Sequence, residues 1–151
     1  MLVKTFGSAV YGVEAITITI EVNWLSTSGK DMMIVGLPDN AVKESQHRVE
    51  SALKSSGFFM PRNKTVVNLA PADIRKEGSA YDLSIALCVL RASAQVITDK
   101  LEEFIIMGEL TLDGTLRPIR GVLPIAIQAR KEGFKGFILP SDNAKEAGIV
   151  N

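Results

Sequence analysis

Gly108-Glu-Leu-Thr-Leu-Asp-Gly-Thr-Leu-Arg-Pro-Ile-Arg-Gly121 sets two apolar segments on either side of Asp113-Gly114. Asp-Gly between alternating segments is a strong hairpin signal, because both residues tolerate the positive φ of a tight turn. The spacing predicts a strand over Phe104–Leu110 that turns back into Thr115–Ile119. Beyond it, Pro124 suits the first turn of a helix running to about Lys131 and stopping near Gly133. Gly136–Leu139 then reads as a short strand, and Pro140-Ser141 opens a last helix over Asn143–Ala147. Gly148-Ile-Val reads as the start of one more strand. The end at Asn151 is therefore expected to be a cut within a longer polypeptide.

Upstream lies Lys76-Glu-Gly-Ser-Ala-Tyr-Asp-Leu83. Ser79-Ala-Tyr-Asp82 has the Ser-x-x-acid form of a capping box, which makes Ser79 the expected N-cap of a helix over Leu83–Ala94. That helix is apolar almost all round and should be buried centrally. Further upstream, Leu2–Phe6 reads as a short strand. Ala15–Trp24 alternates with period two. Ile16, Ile18, Ile20, Val22 and Trp24 share one face, and Thr17, Thr19, Glu21 and Asn23 share a solvated one. Ser26-Thr-Ser-Gly-Lys30 is expected to turn that strand into Met32–Val35 as a hairpin. Asp39 can cap a helix to about Ser55 with Val42, Val49, Ala52 and Leu53 inward, ended by Gly57. Thr65–Leu69 is another strand, and Pro71–Gly78 a loop. Strands and helices mix throughout, with two hairpins beside β-α-β stretches. The expected class is α+β (α/β), a mixed sheet with helices packed on it, in one domain over residues 1–151.

Composition narrows the function classes. The chain has 151 residues, 46% of them hydrophobic, enough for one real core. Its 17 basic and 17 acidic side chains cancel. No whole-domain field draws it onto nucleic acid, so DNA contact would need a local patch or a second domain. One cysteine, Cys88, rules out an internal disulfide and favours a reducing compartment. With no apolar signal-like run at the start and no stretch long enough to span a bilayer, a cytoplasmic location is expected and no membrane partner.

Candidate chemistry is thin. Ser26-Thr-Ser-Gly-Lys30 lacks the first glycine, the hydroxyl after the lysine and the following helix of a phosphate loop, so it is read as a turn. His47, the sole histidine, sits on the polar side of a helix as a surface residue. No cysteine, histidine or acidic cluster has metal-ligand spacing. Arg117, Arg120, Arg130, Lys131 and Lys135 cluster in sequence and could touch phosphates, or form an ordinary solvated face with Glu132 among them. No catalytic, cofactor or metal residues are expected within the chain.

The Gly108–Gly121 segment resembles the signature of Lon-protease-like domains, and Gly133-Phe-Lys-Gly-Phe-Ile-Leu-Pro140 with Asn143 fits the same spacing. The Lys76–Leu83 segment resembles the loop carrying the Lon nucleophile. Laid on it without gaps, Ala80 falls where the nucleophilic serine belongs and Leu123 where the general-base lysine belongs. A Ser–Lys dyad needs a hydroxyl and an amine of lowered pKa, and these positions provide neither. Ser79 is one residue off, a rotation of about 100° on a helix start. Arg117 and Arg120 cannot act as bases, since guanidinium stays protonated.

A second resemblance covers essentially the whole chain. Thr5-Phe-Gly-Ser-Ala-Val-Tyr-Gly-Val13, Val35-Gly-Leu-Pro-Asp-Asn-Ala-Val-Lys-Glu-Ser45, Arg48-Val49, Ala52-Leu53, Asn68-Leu-Ala-Pro-Ala-Asp73 and Lys76–Leu83 look like the N-terminal domain of the magnesium-chelatase-like AAA+ ATPases of bacteria, the YifB/ComM family. It implies a Lon-protease-like fold, shared with GHMP kinases and a ribosomal-protein domain. It implies a downstream AAA+ module with ATP and Mg, and a hexamer that works on branched DNA in competence and recombination. The chain itself would be a non-catalytic module for hexamer assembly or for DNA or substrate contact. Two alternatives stay open: a degenerate Ser79-dependent peptidase, and a magnesium-chelatase subunit.

Overall fold

The computed structural model describes residues 2–29 and 31–148. Lys30 of the phosphate-loop-like turn, and the strand start expected at Ile149-Val150, lie outside the described residues. In chain order the elements are β1 (Leu2–Tyr11), β2 (Glu14–Ser28), β3 (Met32–Val35), α1 (Asn40–Lys43), α2 (Ser45–Ser55), β4 (Asn63–Ala70), α3 (Asp82–Ala92), β5 (Phe104–Ile106), β6 (Glu109–Leu110), β7 (Leu116–Arg117), α4 (Val122–Lys131), β8 (Gly136–Ile138) and α5 (Ala144–Ala147). Six strands form one sheet in the order β3-β4-β2-β1-β5-β8, and β6-β7 is a separate ribbon. The sheet is mixed: β1-β2 and β2-β4 are antiparallel, while β3-β4, β1-β5 and β5-β8 are parallel.

The period-two pattern of β2 holds in its middle, while Ile16 near its start is 36% exposed. Ile18, Ile20 and Val22 are fully buried. Their register partners across the sheet, Thr5 with Ile20, Leu69 with Ile20 and Val67 with Val22, share that face. Thr5 Oγ1 lies 3.2 Å from Cys88 Sγ, so the face rests on α3. Each such aliphatic side chain taken from water contributes about 1.5–3 kcal/mol. The opposite face is less solvated than its sequence suggests. Thr17 and Thr19 are half-buried because α4 covers them, and Thr17 Oγ1 donates to Glu132 Oε1 at the end of α4 (2.7 Å). Phe6 meets Phe134 edge-on at 5.4 Å. Gly121 has φ +76, and a Cβ there would sit 2.8 Å from Val10 Cγ2, so the start of α4 packs directly on β1.

Four expectations are corrected. β3 does not return along β2 as a hairpin: β4 occupies that edge, and β3 lies outside β4 in parallel, with α1 and α2 as the crossover. The turn's backbone commits to β4 instead, with Gly29 N donating to Arg62 O (3.0 Å) and Thr65 N to Asp31 O (3.1 Å). The helix expected from Asp39 to Ser55 is two, α1 and α2, divided at Glu44. The strand expected over Phe104–Leu110 breaks after Ile106, because Gly108 turns to the 80–83 segment: its N–H donates to Ala80 O (2.8 Å) and its carbonyl accepts from Leu83 N (3.0 Å). Ser79 is not the N-cap of α3. The cap position is Tyr81, and the Ser79 hydroxyl points elsewhere.

Candidate functional site

Two loops meet through a buried lysine. The Lys76 N–H donates to Leu37 O (2.9 Å) and its carbonyl accepts from Asp39 N (2.9 Å), bridging the loop after β3 to the loop before α3. Its ammonium, withdrawn from water, donates to Gly36 O (2.7 Å) and to Pro71 O. Burial lowers the Lys76 pKa, against the charge of Asp73, which raises it. At Gly36 only glycine fits: φ is +106, and a Cβ would sit 2.1 Å from Leu69 O. Leu37 also has positive φ, +59, and stays 52% exposed.

Asp39 ties this assembly to the next turn. Its Oδ1 accepts from Val42 N (2.8 Å), the expected cap, and its Oδ2 accepts from Gly78 N (3.1 Å). Ser79 follows, donating from Oγ to Glu109 Oε1, while Glu109 Oε2 lies 3.5 Å from Arg117 Nε. The acid of the expected capping box, Asp82, is fully buried and turned inward. It accepts from Ser45 Oγ (2.6 Å), Arg48 Nε (2.6 Å), Arg48 Nη2 (3.1 Å) and Leu110 N (3.1 Å). Burial raises the Asp82 pKa, and these donors oppose it. Asp82 thereby fixes α2, α3 and β6 to one another.

Over these elements opens a cleft of about 670 Å³. Its walls include Ser8–Tyr11 of β1, Gly78–Tyr81, Glu109 and the Pro118–Arg120 segment, with Asp39, Arg75 and Glu77 at the rim. Ala80, at the position the resemblance assigns to a nucleophile, lines it. Leu123 does not: it projects from α4, 41% exposed. No lysine is among the described residues lining the cleft. Tyr81 is buried beneath it, and desolvation raises its pKa.

The remaining candidates do not converge. His47 is exposed on α2. Lys135 is paired with Glu103 (3.0 Å) and Arg117 with Glu109, whereas Arg120 stands at the cleft. Arg130 and Lys131 are exposed at the end of α4 beside Glu132. No three His, Cys, Asp or Glu among the described residues are placed to hold a metal ion. No helix among them is long and apolar enough to cross a membrane. Sequence reading missed the roles of Glu109, Arg48 and Lys76. Only Asp39, followed by a helix pattern, left a local signal.

A six-stranded mixed sheet with helices on it, and a cleft over the turn before a central helix, define a Lon-like α/β domain. Residues 20–143 match the family described as subunit ChlI of Mg-chelatase, and the chain belongs to that magnesium-chelatase-like family. It is 45% identical to the "Uncharacterized protein YifB" of Escherichia coli (strain K12) over 143 residues, 95% of this chain and 28% of that protein. It is 43% identical over 150 residues to the "Competence protein ComM" of Haemophilus influenzae, 99% of this chain and 29% of that one. A Lon protease of Brevibacillus choshinensis is 27% identical over 137 residues, 86% of this chain and 17% of the protease. The chain thus spans less than a third of the length of these relatives.

Proposed function

We propose that this domain is a non-catalytic contact module of a magnesium-chelatase-like AAA+ ATPase. It would serve assembly of the hexamer or hold a substrate while a module outside this chain binds ATP and Mg and hydrolyses the nucleotide. The observation that carries the reading is the composition of the cleft. Ala80 stands at the position the resemblance assigns to the nucleophile, and no amine lines the walls among the described residues. Ser79, the hydroxyl next to Ala80 in the chain, is held by Glu109, itself engaged with Arg117. A carboxylate is a poor base for a serine hydroxyl, because their proton affinities are far apart.

The name of the ComM relative supports a role in competence; DNA uptake and recombination are the processes we propose for it. Arg117 and Lys135, two of the basic residues that could reach DNA, are instead paired with Glu109 and Glu103. The deciding experiment treats the chain with a fluorophosphonate probe, beside Ser79→Ala. No labelling is expected of either. Labelling that Ser79→Ala abolishes would instead establish the degenerate peptidase. For DNA, the full-length protein with and without this domain is compared on branched and duplex DNA over a range of salt. An unchanged affinity and salt slope would place DNA contact outside the domain.

A further inference from the structure

The helices α2 and α3 end in the same way. After α2, Gly57 N donates to Lys54 O (3.2 Å) and Phe58 N to Leu53 O (2.8 Å), with Gly57 at φ +86. After α3, Ala94 N donates to Arg91 O (3.1 Å) and Gln95 N to Leu90 O (3.0 Å), with Ala94 at φ +58. Both are Schellman endings, in which the residue past the cap takes the left-handed conformation. Glycine takes it freely, whereas alanine takes it at a cost.

Gln95 joins the two endings. Its Oε1 accepts from Phe59 N (2.9 Å), and its Nε2 donates to Phe59 O (2.9 Å) and to Ser93 Oγ (2.7 Å). One side chain thus occupies both backbone groups of Phe59, as a neighbouring strand would. The backbone is fixed, yet the rings are left in water. Phe58 is 37% exposed, Phe59 57%, and Ile97, two residues beyond Gln95, 85%. None of the three lines the cleft.

The charge around these rings has one sign. Lys54-Ser-Ser-Gly-Phe-Phe-Met-Pro-Arg-Asn-Lys64 carries three cations and no acid. Lys54 reaches Glu50 at 3.4 Å with its side chain 64% exposed, a pair of little strength. Arg62 is exposed and has no ion pair among the described residues. Three residues from Phe59, its Cα lies within about 10 Å of that residue's. To a partner chain Phe59 offers no free backbone group, since Gln95 fills both. It offers apolar area beside positive charge, which is the pattern of a contact with an anionic bilayer. Rings there enter the boundary between headgroups and acyl chains, and cations attract the anionic headgroups. The expected absence of a membrane partner came from span length and the lack of a signal-like run, and a surface contact needs neither.

We propose that the 57–61 loop docks the domain on an anionic phospholipid surface, with Phe58 and Phe59 seated at headgroup level and Lys54 and Arg62 on the phosphates. The loop lies outside the cleft, so this goes beyond the contact-module reading and does not depend on it.

The test is co-sedimentation of the chain, and of the full-length protein, with vesicles of mixed phosphatidylcholine and phosphatidylglycerol, beside vesicles of phosphatidylcholine alone. Both proteins should bind the mixed vesicles at least tenfold more tightly. Phe59→Ser should weaken that binding at least tenfold. One cation at such a surface contributes about fivefold, so the charge reversal Arg62→Glu should weaken it by more than that. Gln95→Ala keeps both rings and every cation but releases the loop, and it should weaken binding several-fold. Urea titration shows that each variant is folded. Phe59→Trp should keep full binding, with an emission that shifts to the blue on the mixed vesicles, a shift that Trp24 alone does not give in the unsubstituted chain. Equal binding to both kinds of vesicle, binding indifferent to Phe59→Ser, no blue shift, no binding, or binding by the chain that the full-length protein lacks would each overturn the proposal. The last result would mean that another part of the protein covers the loop. None of these outcomes bears on the fluorophosphonate result, so the two readings fail separately.

Discussion

Arg48 on α2 and Asp82 at the start of α3 meet at 2.6 Å, with the carboxylate fully buried and the guanidinium side chain 20% exposed. The pair is one part of a four-donor shell that also draws in Ser45 and the backbone of Leu110. Removing one partner leaves the other buried without its counter-charge, which costs about 3–5 kcal/mol. Arg48→Ala and Asp82→Ala should each lower stability by about that much in urea titrations, and the double variant by less than the sum. Full additivity would mean the two residues act independently.

Lys76 should give the domain a distinctive alkaline dependence. Its folded pKa lies below the ordinary lysine value of 10.5 because burial disfavours the charged form. Between the two values the unfolded chain binds more protons than the folded one, so stability from this group rises with pH there and is flat below. Urea titrations of the chain and of Lys76→Met, from about pH 7 to about pH 10, should show the gap shifting toward the unsubstituted chain as pH rises through the lowered value. A gap that shrinks with pH contradicts this.

Cys88 should be silent while the chain is folded. The thiol is fully buried between α3 and the sheet, against Thr5, and desolvation pushes its pKa up to about 12. Thiolate is the reactive form. Labelling by a disulfide reagent should therefore follow global opening and track added urea. Rapid labelling of the whole population in buffer would show that the thiol is accessible.

Gly36→Ala should cost more than a usual glycine replacement. The added methyl would overlap Leu69 O while φ stays at +106. A loss of about 3 kcal/mol or more in thermal or urea unfolding is expected. A loss below about 1 kcal/mol would show that the loop relaxes freely.

What the sequence reveals, and what it hides, follows from range. The alternation of Ile18, Ile20 and Val22 is local, and it places them in the core. The partner of Met32–Val35 is not local. Period two identifies a strand without saying which neighbour wins, and here β4, formed some thirty residues later, takes the edge of β2. Ser8–Tyr11 escapes detection as strand because Gly7, Ser8 and Ala9 are small; at Gly7 a Cβ would lie 3.0 Å from Met107 Sδ and 3.3 Å from Tyr81 Cδ1, which need that space. At the site, Ser79-x-x-Asp82 has the letters of a capping box, yet both side chains find stronger partners from distant segments, Glu109 and Arg48. The shell around Asp82 spans residues 45 to 110 and leaves no spacing to read.

The ammonium of Lys76 sits among carbonyl oxygens of two loops, much as a potassium ion would. Here the cation is tethered by its own side chain. It cannot be exchanged, chelated or diluted away, so the Gly36–Asp39 loop keeps its shape whatever the ionic composition around it.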